Sequence, residues 1–247
     1  MIVYTTSAPF YDLIYKHKDY AGEVRTLLRL IEDNAPSDQP RSTLLDVACG
    51  TGGHLVYLAR YFDCVGVDLS AELLQIAHQR LPSIPFHEGD MCVFDLGQTF
   101  DVVTCLFSAI SYVKTLDRMR QAVINMARHI APGGVLAIEP WLYPETFVDN
   151  SIHAALVESA DLKLTRMTIS HLSEDGKLSV MEAHHLIATA GENGHPPAMQ
   201  YFIEPHEMGL FTHEEYMEAL IAAGLQPIYD KRGLTGRGLY LGIKSGA

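Results

Sequence analysis

The chain of 247 residues has no run of about 18 apolar residues of the kind that crosses a bilayer as a helix. Its N-terminal stretch, Met1 to Phe10, has neither a basic start nor a long apolar centre, so no signal peptide is expected and the reading is cytoplasmic. Cysteine is scarce: Cys49, Cys64, Cys92 and Cys105 form no CxxC pair, and each lies in an apolar stretch. They read as small buried side chains of a reducing compartment rather than a disulfide framework or a zinc site. Twelve histidines do not alter this. There is no HExxH, His184 and His185 would point to opposite faces of a strand, and no metal is expected. Basic residues are also few, 18 Lys and Arg against 30 Asp and Glu, a formal charge of −12. Such a surface repels a phosphate polymer, which excludes broad nucleic-acid binding but leaves room for a local pocket for one small anion.

What is present suits one large α/β unit: 48% of residues are hydrophobic and 19% charged. Strand-like runs near Thr43–Cys49, Cys64–Asp68, Pro85–Glu88, Asp101–Leu106 and Val135–Glu139 alternate with helical patterns near Gly53–Tyr61, Ala71–Leu81 and Leu116–Ile130. This alternation predicts parallel strands with crossover helices on both faces. A helix over about Asp19 to Glu32 precedes the first strand, and 34–41 is a loop rich in Pro and Asp. After Trp141 the pattern changes. Leu162 to Gly209 reads as long strands joined by turns, with a hairpin tip at Glu174-Asp175-Gly176 and a loop over 191–197. Thr212, with Glu215 three residues on, caps a helix that Gly224 ends; strands near Gln226–Asp230 and Leu239–Ile243 follow. Three parts are expected: a core with a helical cap over 1–141, an antiparallel insertion over 142–210 that covers an acceptor site or forms a dimer contact, and a helix and strands over 211–247 that complete the core.

The central motif is Asp46-Val47-Ala48-Cys49-Gly50-Thr51-Gly52-Gly53, a strand running into a glycine turn and a helix. Glycine allows close ligand approach, and a helix start offers free N–H groups. Asp68 ends the neighbouring strand, where a carboxylate can take two ribose hydroxyls. A dinucleotide fingerprint would need glycine at position 55, which is leucine, so a hydride-transferring enzyme ranks last. His54, in the first turn of the helix, reads as a surface residue.

Together with Gly89-Asp90-Met91 and Pro132-Gly133-Gly134, this stretch resembles motif I and its companions in class I S-adenosylmethionine-dependent methyltransferases. The resemblance implies a Rossmann-like fold with a mostly parallel seven-stranded sheet, helices on both faces, and an antiparallel β insertion. It implies S-adenosylmethionine as cofactor and S-adenosylhomocysteine as product. Gly50 and Gly52 are expected at the methionine part, Asp68 at the ribose, and Asp90 and Met91 at the adenine, with Asp46, Ala48, Leu69 and Phe107 also binding the cofactor. Tyr11 and Tyr20 are expected to close over the cofactor, since a sulfonium is drawn to aromatic faces. Asp90 has a second reading as a turn residue, and Tyr11 and Tyr20 as packing for the N-terminal helix.

Further stretches narrow the likeness: Phe10-Tyr11-Asp12 with Asp19-Tyr20, Phe107-Ser108 through Tyr112, Glu139-Pro140-Trp141, Tyr143 to Phe147, Leu210-Phe211-Thr212-His213, and Gly236-Arg237-Gly238-Leu239. These resemble N,N-dimethyltransferases of dTDP-3-amino-3,6-dideoxyhexoses in macrolide sugar pathways. The family implies an N-methyltransferase acting by direct displacement on a small-molecule amine, and a homodimer. Tyr112 would orient the amine or take its proton through water, or stand as a plain core tyrosine. Glu139 would stabilise the ammonium product, or cap a loop from a buried position. Ser108, Trp141, Tyr143 and Arg237 would bind substrate, Arg237 at a diphosphate. Competing readings are a small-amine or amino-acid N-methyltransferase without a nucleotide, an O-methyltransferase, and a non-catalytic S-adenosylmethionine-binding protein.

Overall fold

A computed structural model describes Tyr4 and residues 6–35, 40–191 and 196–246. The expected loops over 34–41 and 191–197 therefore fall in part outside the described residues. Short helical turns at Ala8–Phe10 and α1 (Tyr11–Ile14) lead into α2 (Tyr20–Asn34). The core sheet then forms from β1 (Thr43–Val47), β2 (Asp63–Asp68), β3 (Phe86–Glu88), β4 (Phe100–Cys105) and β5 (Ile130–Ile138). Between them lie α3 (Leu55–Leu58), α4 (Ala71–Arg80) and α5 (Leu116–Arg128). The second sheet is β6 (Ser151–Glu158), β7 (Leu162–Leu172), β8 (Leu178–Thr189) and β9 (Ala198–Gly209). The chain returns through α6 (His213–Ala222), β10 (Leu225–Asp230) and β11 (Leu239–Lys244).

The seven strands run in the order β10-β11-β5-β4-β1-β2-β3. β1 to β5 are parallel, and β11 is antiparallel to both β5 and β10. The order reverses at β1, so the C-terminal ends of β1 and β4 open a crevice where a ligand fits. Central strands are buried on both faces, Leu44 and Leu45 of β1 and Val102 and Val103 of β4 being wholly enclosed. This explains their continuous apolar runs. Thr212 and Glu215 make the reciprocal capping box that starts α6.

Four features differ from expectation. The helix expected over 53–61 shrinks to the single turn of α3, because the chain must reach β2 at Asp63. Arg60 and Tyr61 already bond to the carbonyls three residues back. His54 is buried rather than on the surface, its Nε2 lying 2.8 Å from Glu23 Oε2 on α2. β6 carries no alternating pattern because most of its residues are exposed. The Pro132-Gly133-Gly134 turn lies inside β5, beside a register shift opposite Phe100 and Val102.

The four-stranded sheet is antiparallel throughout, with the hairpin tip at 174–176 as expected. Its alternation is sharp on β8 and β9: Ala183, His185 and Ile187, then Glu204, His206 and Met208, are buried on the inner face. No described helix is long and apolar enough to cross a membrane.

Candidate active site

After β1 the backbone enters the left-handed region at Ala48, Gly50 and Gly52, with φ of 58°, 56° and 76°. The turn is fixed from β2. The Cys49 N–H donates to the Val67 carbonyl at 3.0 Å, and the Gly50 N–H to Asp68 Oδ2 at 2.7 Å. The Ser70 N–H donates to the other oxygen, Oδ1, at 2.8 Å. Burial pushes the Asp68 carboxyl above its ordinary range, opposed by these N–H groups. Gly52 turns away from the crevice: a Cβ there would press on Leu81 at 3.2 Å and approach Ala77 and Phe86. Its smallness serves helix–sheet packing, and it lines no ligand surface.

The crevice is a cavity of about 350 Å³, within the range of small-ligand sites. One end is built by Ala48, Gly50, Asp68 and Leu69, and its side by Gly89, Asp90 and Met91. Asp90 accepts from the Cys92 N–H at 2.9 Å and from Arg118 Nη2 at 2.6 Å. Burial would raise its carboxyl, but these two donors outweigh it and hold the carboxyl below its usual range. Asp90 is thus both a turn residue and a cavity wall.

Aromatic rings close the front. Tyr11 is buried, edge-on to Tyr4 with centroids 5.1 Å apart; Tyr15 stands 5.0 Å from Phe107, and all four line the cavity. Tyr20 lies elsewhere, against Gly53 and edge-on to His54. It shares with Asp46 a narrow crevice behind the glycine turn, which Tyr11, Ala48, Gly50 and Phe107 also border. Asp46 accepts from Thr104 Oγ at 2.7 Å, and burial pushes its carboxyl up to about 6 against the pull of His54 and that hydroxyl.

The cavity also draws on segments distant in sequence. Tyr112 and Trp141 face the cavity, with Arg166 of β7, Met181 of β8, Met208 of β9 and Arg237 of the β10–β11 loop. Arg237 stands 4.9 Å from the Trp141 ring and donates to Ser108 Oγ at 2.8 Å. Ser108 in turn donates to the Pro140 carbonyl, so it steadies Arg237 from outside the cavity. Tyr143 also stays outside, its hydroxyl tied to Tyr240 at 3.0 Å and Tyr229 at 3.2 Å.

Of its two expected roles Glu139 takes the second, a buried carboxylate that caps a loop, and not the one at a product ammonium. It is fully enclosed and does not line the cavity. Its Oε2 accepts the Phe107 N–H at 2.7 Å and its Oε1 the Thr235 hydroxyl at 2.6 Å. Phe107 and Ser108 both have positive φ, 54° and 62°, a strained pair that this carboxylate holds in place. Glu139 is the clamp between the end of β4 and the loop carrying Arg237.

Tyr4, Tyr15, Arg166 and His206 were not singled out from sequence. His206 is wholly buried, its Nδ1 lying 2.9 Å from the Tyr112 hydroxyl. The signal for Arg166 and His206 was polar residues at alternate positions of long strands, without a way to tell the inner face. Among the described residues no group of three or more His, Cys, Asp or Glu could hold a metal.

Residues 44–134 match the family model described as a methyltransferase domain. Over 239 residues the chain is 39% identical to the dTDP-3-amino-3,4,6-trideoxy-alpha-D-glucopyranose N,N-dimethyltransferase of Streptomyces venezuelae, covering 96% of this chain and 97% of that one. It is 38% identical to the dTDP-4-amino-2,3,4,6-tetradeoxy-D-glucose N,N-dimethyltransferase of Saccharopolyspora spinosa, over 96% and 92% of the two chains. Its structure superposes with a TM-score of 0.83, at 37% identity and over 95% and 96% of the chains, on S-adenosylmethionine-bound CalS10, an amino pentose methyltransferase from Micromonospora echinaspora involved in calicheamicin biosynthesis.

Replacing Glu139 by Gln puts an amide donor where two donors already point. The Glu139→Gln protein is expected to lose about 2 kcal/mol in urea unfolding. An unchanged midpoint and slope would remove the clamp.

Proposed function

The chain belongs to the family of S-adenosylmethionine-dependent sugar N-methyltransferases, and from that premise we propose that it methylates the amine of a dTDP-linked amino-deoxysugar. The observation that carries this reading is that two guanidiniums, Arg166 and Arg237, line the same cavity as Asp68. The Arg166 Nε is buried without a hydrogen-bond partner among the described residues, and Arg237 is held by Ser108 and Trp141 rather than by a carboxylate. In a protein of formal charge −12, two such groups on one cavity suit a diphosphate.

The cavity wall at Asp68 fits the cofactor. Asp68 already has one N–H on each oxygen and keeps a second lone pair on each for ribose hydroxyls. A Cβ at Gly50 would meet nothing closer than the Tyr11 hydroxyl at 3.9 Å, so ligand atoms have room there. Leu69 and Met91 offer apolar faces for a base, and Asp90 edges it. Tyr11 and Phe107 present rings to the sulfonium, while Asp46 and Tyr20 shape the crevice for its amino-acid end.

Bound S-adenosylmethionine supplies an electrophilic methyl: the N–C bond forms as the S–C bond breaks, and the positive charge passes from sulfur to nitrogen. The protein's part is to align the neutral nitrogen and exclude water. Tyr112 lines the same cavity. Burial raises its phenol above the ordinary range, so it orients the amine as a neutral hydroxyl. Trp141 packs beside the nucleotide end, and the 142–210 segment covers the acceptor through Arg166, Met181 and Met208. The four free, buried cysteines suit a reducing cytoplasm.

A homodimer is part of the same reading. The outer face of the four-stranded sheet exposes Ile152, Leu156, Met167, Ile169, Leu186, Met199, Tyr201 and Ile203 on neighbouring strands. A contiguous apolar face of this kind favours a second copy.

The central test is to incubate the protein with S-adenosylmethionine and dTDP-3-amino sugars and read product mass. Gain of one or two methyl groups is expected; transfer only to free amines lacking a nucleotide would overturn the substrate. In the same assay Arg166→Ala and Arg237→Ala are each expected to raise KM for the sugar about tenfold or more, with S-adenosylmethionine affinity unchanged. Asp68→Ala is expected to weaken S-adenosylmethionine binding in calorimetry by about tenfold to a hundredfold; equal affinity would remove the ribose assignment. Light scattering is expected to give twice the chain mass, and a monomer at high concentration would end the dimer reading.

A further inference from the structure

Behind Tyr112 lies a buried row of polar groups with a sense of direction. The Tyr4 hydroxyl is 3.0 Å from the Tyr112 hydroxyl, which is 2.9 Å from His206 Nδ1. On the other side of the imidazole, Nε2 has no hydrogen-bond partner among the described residues, and faces Glu204 Oε2 at 3.9 Å. That same Glu204 oxygen accepts from the Ser7 hydroxyl. We infer that His206 is a positioning residue: it draws the Tyr112 hydroxyl hydrogen away from the cavity, leaving the phenol oxygen as an acceptor for an amine N–H. This deepens the proposal that Tyr112 faces the amine, and rests on it.

The direction follows from what each group can give. His206 is wholly buried near Arg166 and His185; desolvation first, then these two neighbours, lowers its pKa to about 3. It is therefore neutral and carries one ring N–H. With the hydrogen on Nδ1, a bare Nε2 lone pair would face the Glu204 carboxylate, two negative ends in a dry interior. With the hydrogen on Nε2, the N–H dipole points at the carboxylate and Nδ1 is free to accept. The second arrangement wins on sign alone. Burial keeps the Tyr112 phenol protonated, so its single hydrogen goes to Nδ1. Tyr4 then donates to the Tyr112 oxygen, and the remaining lone pair looks into the cavity.

An acceptor at that place selects among amines. A primary or secondary amine can offer an N–H to Tyr112 while its lone pair meets the methyl group. A neutral tertiary amine has no N–H left to offer. The orientation thus favours the first two methyl transfers and disfavours a third.

The test uses the full chain, S-adenosylmethionine and dTDP-3-amino-3,6-dideoxyglucose. Tyr112→Phe, His206→Phe, His206→Asn and the Tyr112→Phe/His206→Phe double variant are compared by kcat and by KM for each substrate. His206→Phe is expected to lose about tenfold in kcat with KM for S-adenosylmethionine unchanged. His206→Asn, whose amide oxygen reaches the place of Nδ1, is expected to stay within about threefold of wild type. In the Tyr112→Phe background His206→Phe should add nothing. If instead it costs the same factor there, the histidine acts independently and the inference falls while Tyr112 keeps its role. If Tyr112→Phe retains full kcat, both fall. Should His206→Phe not fold, 15N NMR of histidine-labelled wild type still decides. The resonance missing in His206→Asn is expected to show a hydrogen on Nε2 and an accepting Nδ1, and the opposite tautomer overturns the inference.

Discussion

The bond from the Gly50 N–H to the Asp68 carboxylate is the constraint on which the cavity depends. It joins the turn after β1 to the tip of β2 and makes one carboxylate serve two backbones, since Ser70 uses its other oxygen. The turn can reach that oxygen only because Ala48, Gly50 and Gly52 accept positive φ. An alanine at 48 is held in a conformation that costs on the order of 1 kcal/mol. With the turn held there, the open floor beside Gly50 and the enclosed carboxylate of Asp68 come together on the cavity wall.

A second clamp does for the loop that carries Arg237 what Asp68 does for the glycine turn. Glu139 takes the Phe107 N–H and the Thr235 hydroxyl, binding the end of β4 to the loop that holds Arg237. Ser108 continues the link by accepting from Arg237. Two buried carboxylates thus hold the segments that build the cavity.

Most of the parallel sheet was legible because its strands are apolar throughout and its turns carry glycine, both local signals. The glycine turn and Asp68 could be paired from spacing alone, since 18 residues separate Gly50 from the carboxylate it meets. The acceptor half was harder. Glu139 bonds to residues 32 and 96 positions away, and His54 to a glutamate 31 positions back, so neither their burial nor their partners showed in the neighbouring sequence. β6 escaped notice because it lacks alternation, and Arg166 and His206 because a strand pattern does not say which face turns inward. Gly52 read as a ligand contact, yet it is small for the sake of Leu81 and Phe86.

The pairing of β7, β8 and β9 sets Arg166 beside His185 and Phe202, Thr168 beside Ala183 and Glu204, and Ser170 beside Met181 and His206. Everything these strands contribute to the cavity lies on one face, with period two. Deleting or inserting one residue within a strand would send the polar row to the outside and bring Met167, Ile203 and their neighbours in. Lineages diverging from this chain can therefore alter the acceptor by swapping inner side chains or by changing the length of the hairpin at 173–177. Changes of length inside the strands are closed to them, and drift in this region has to be written in substitutions.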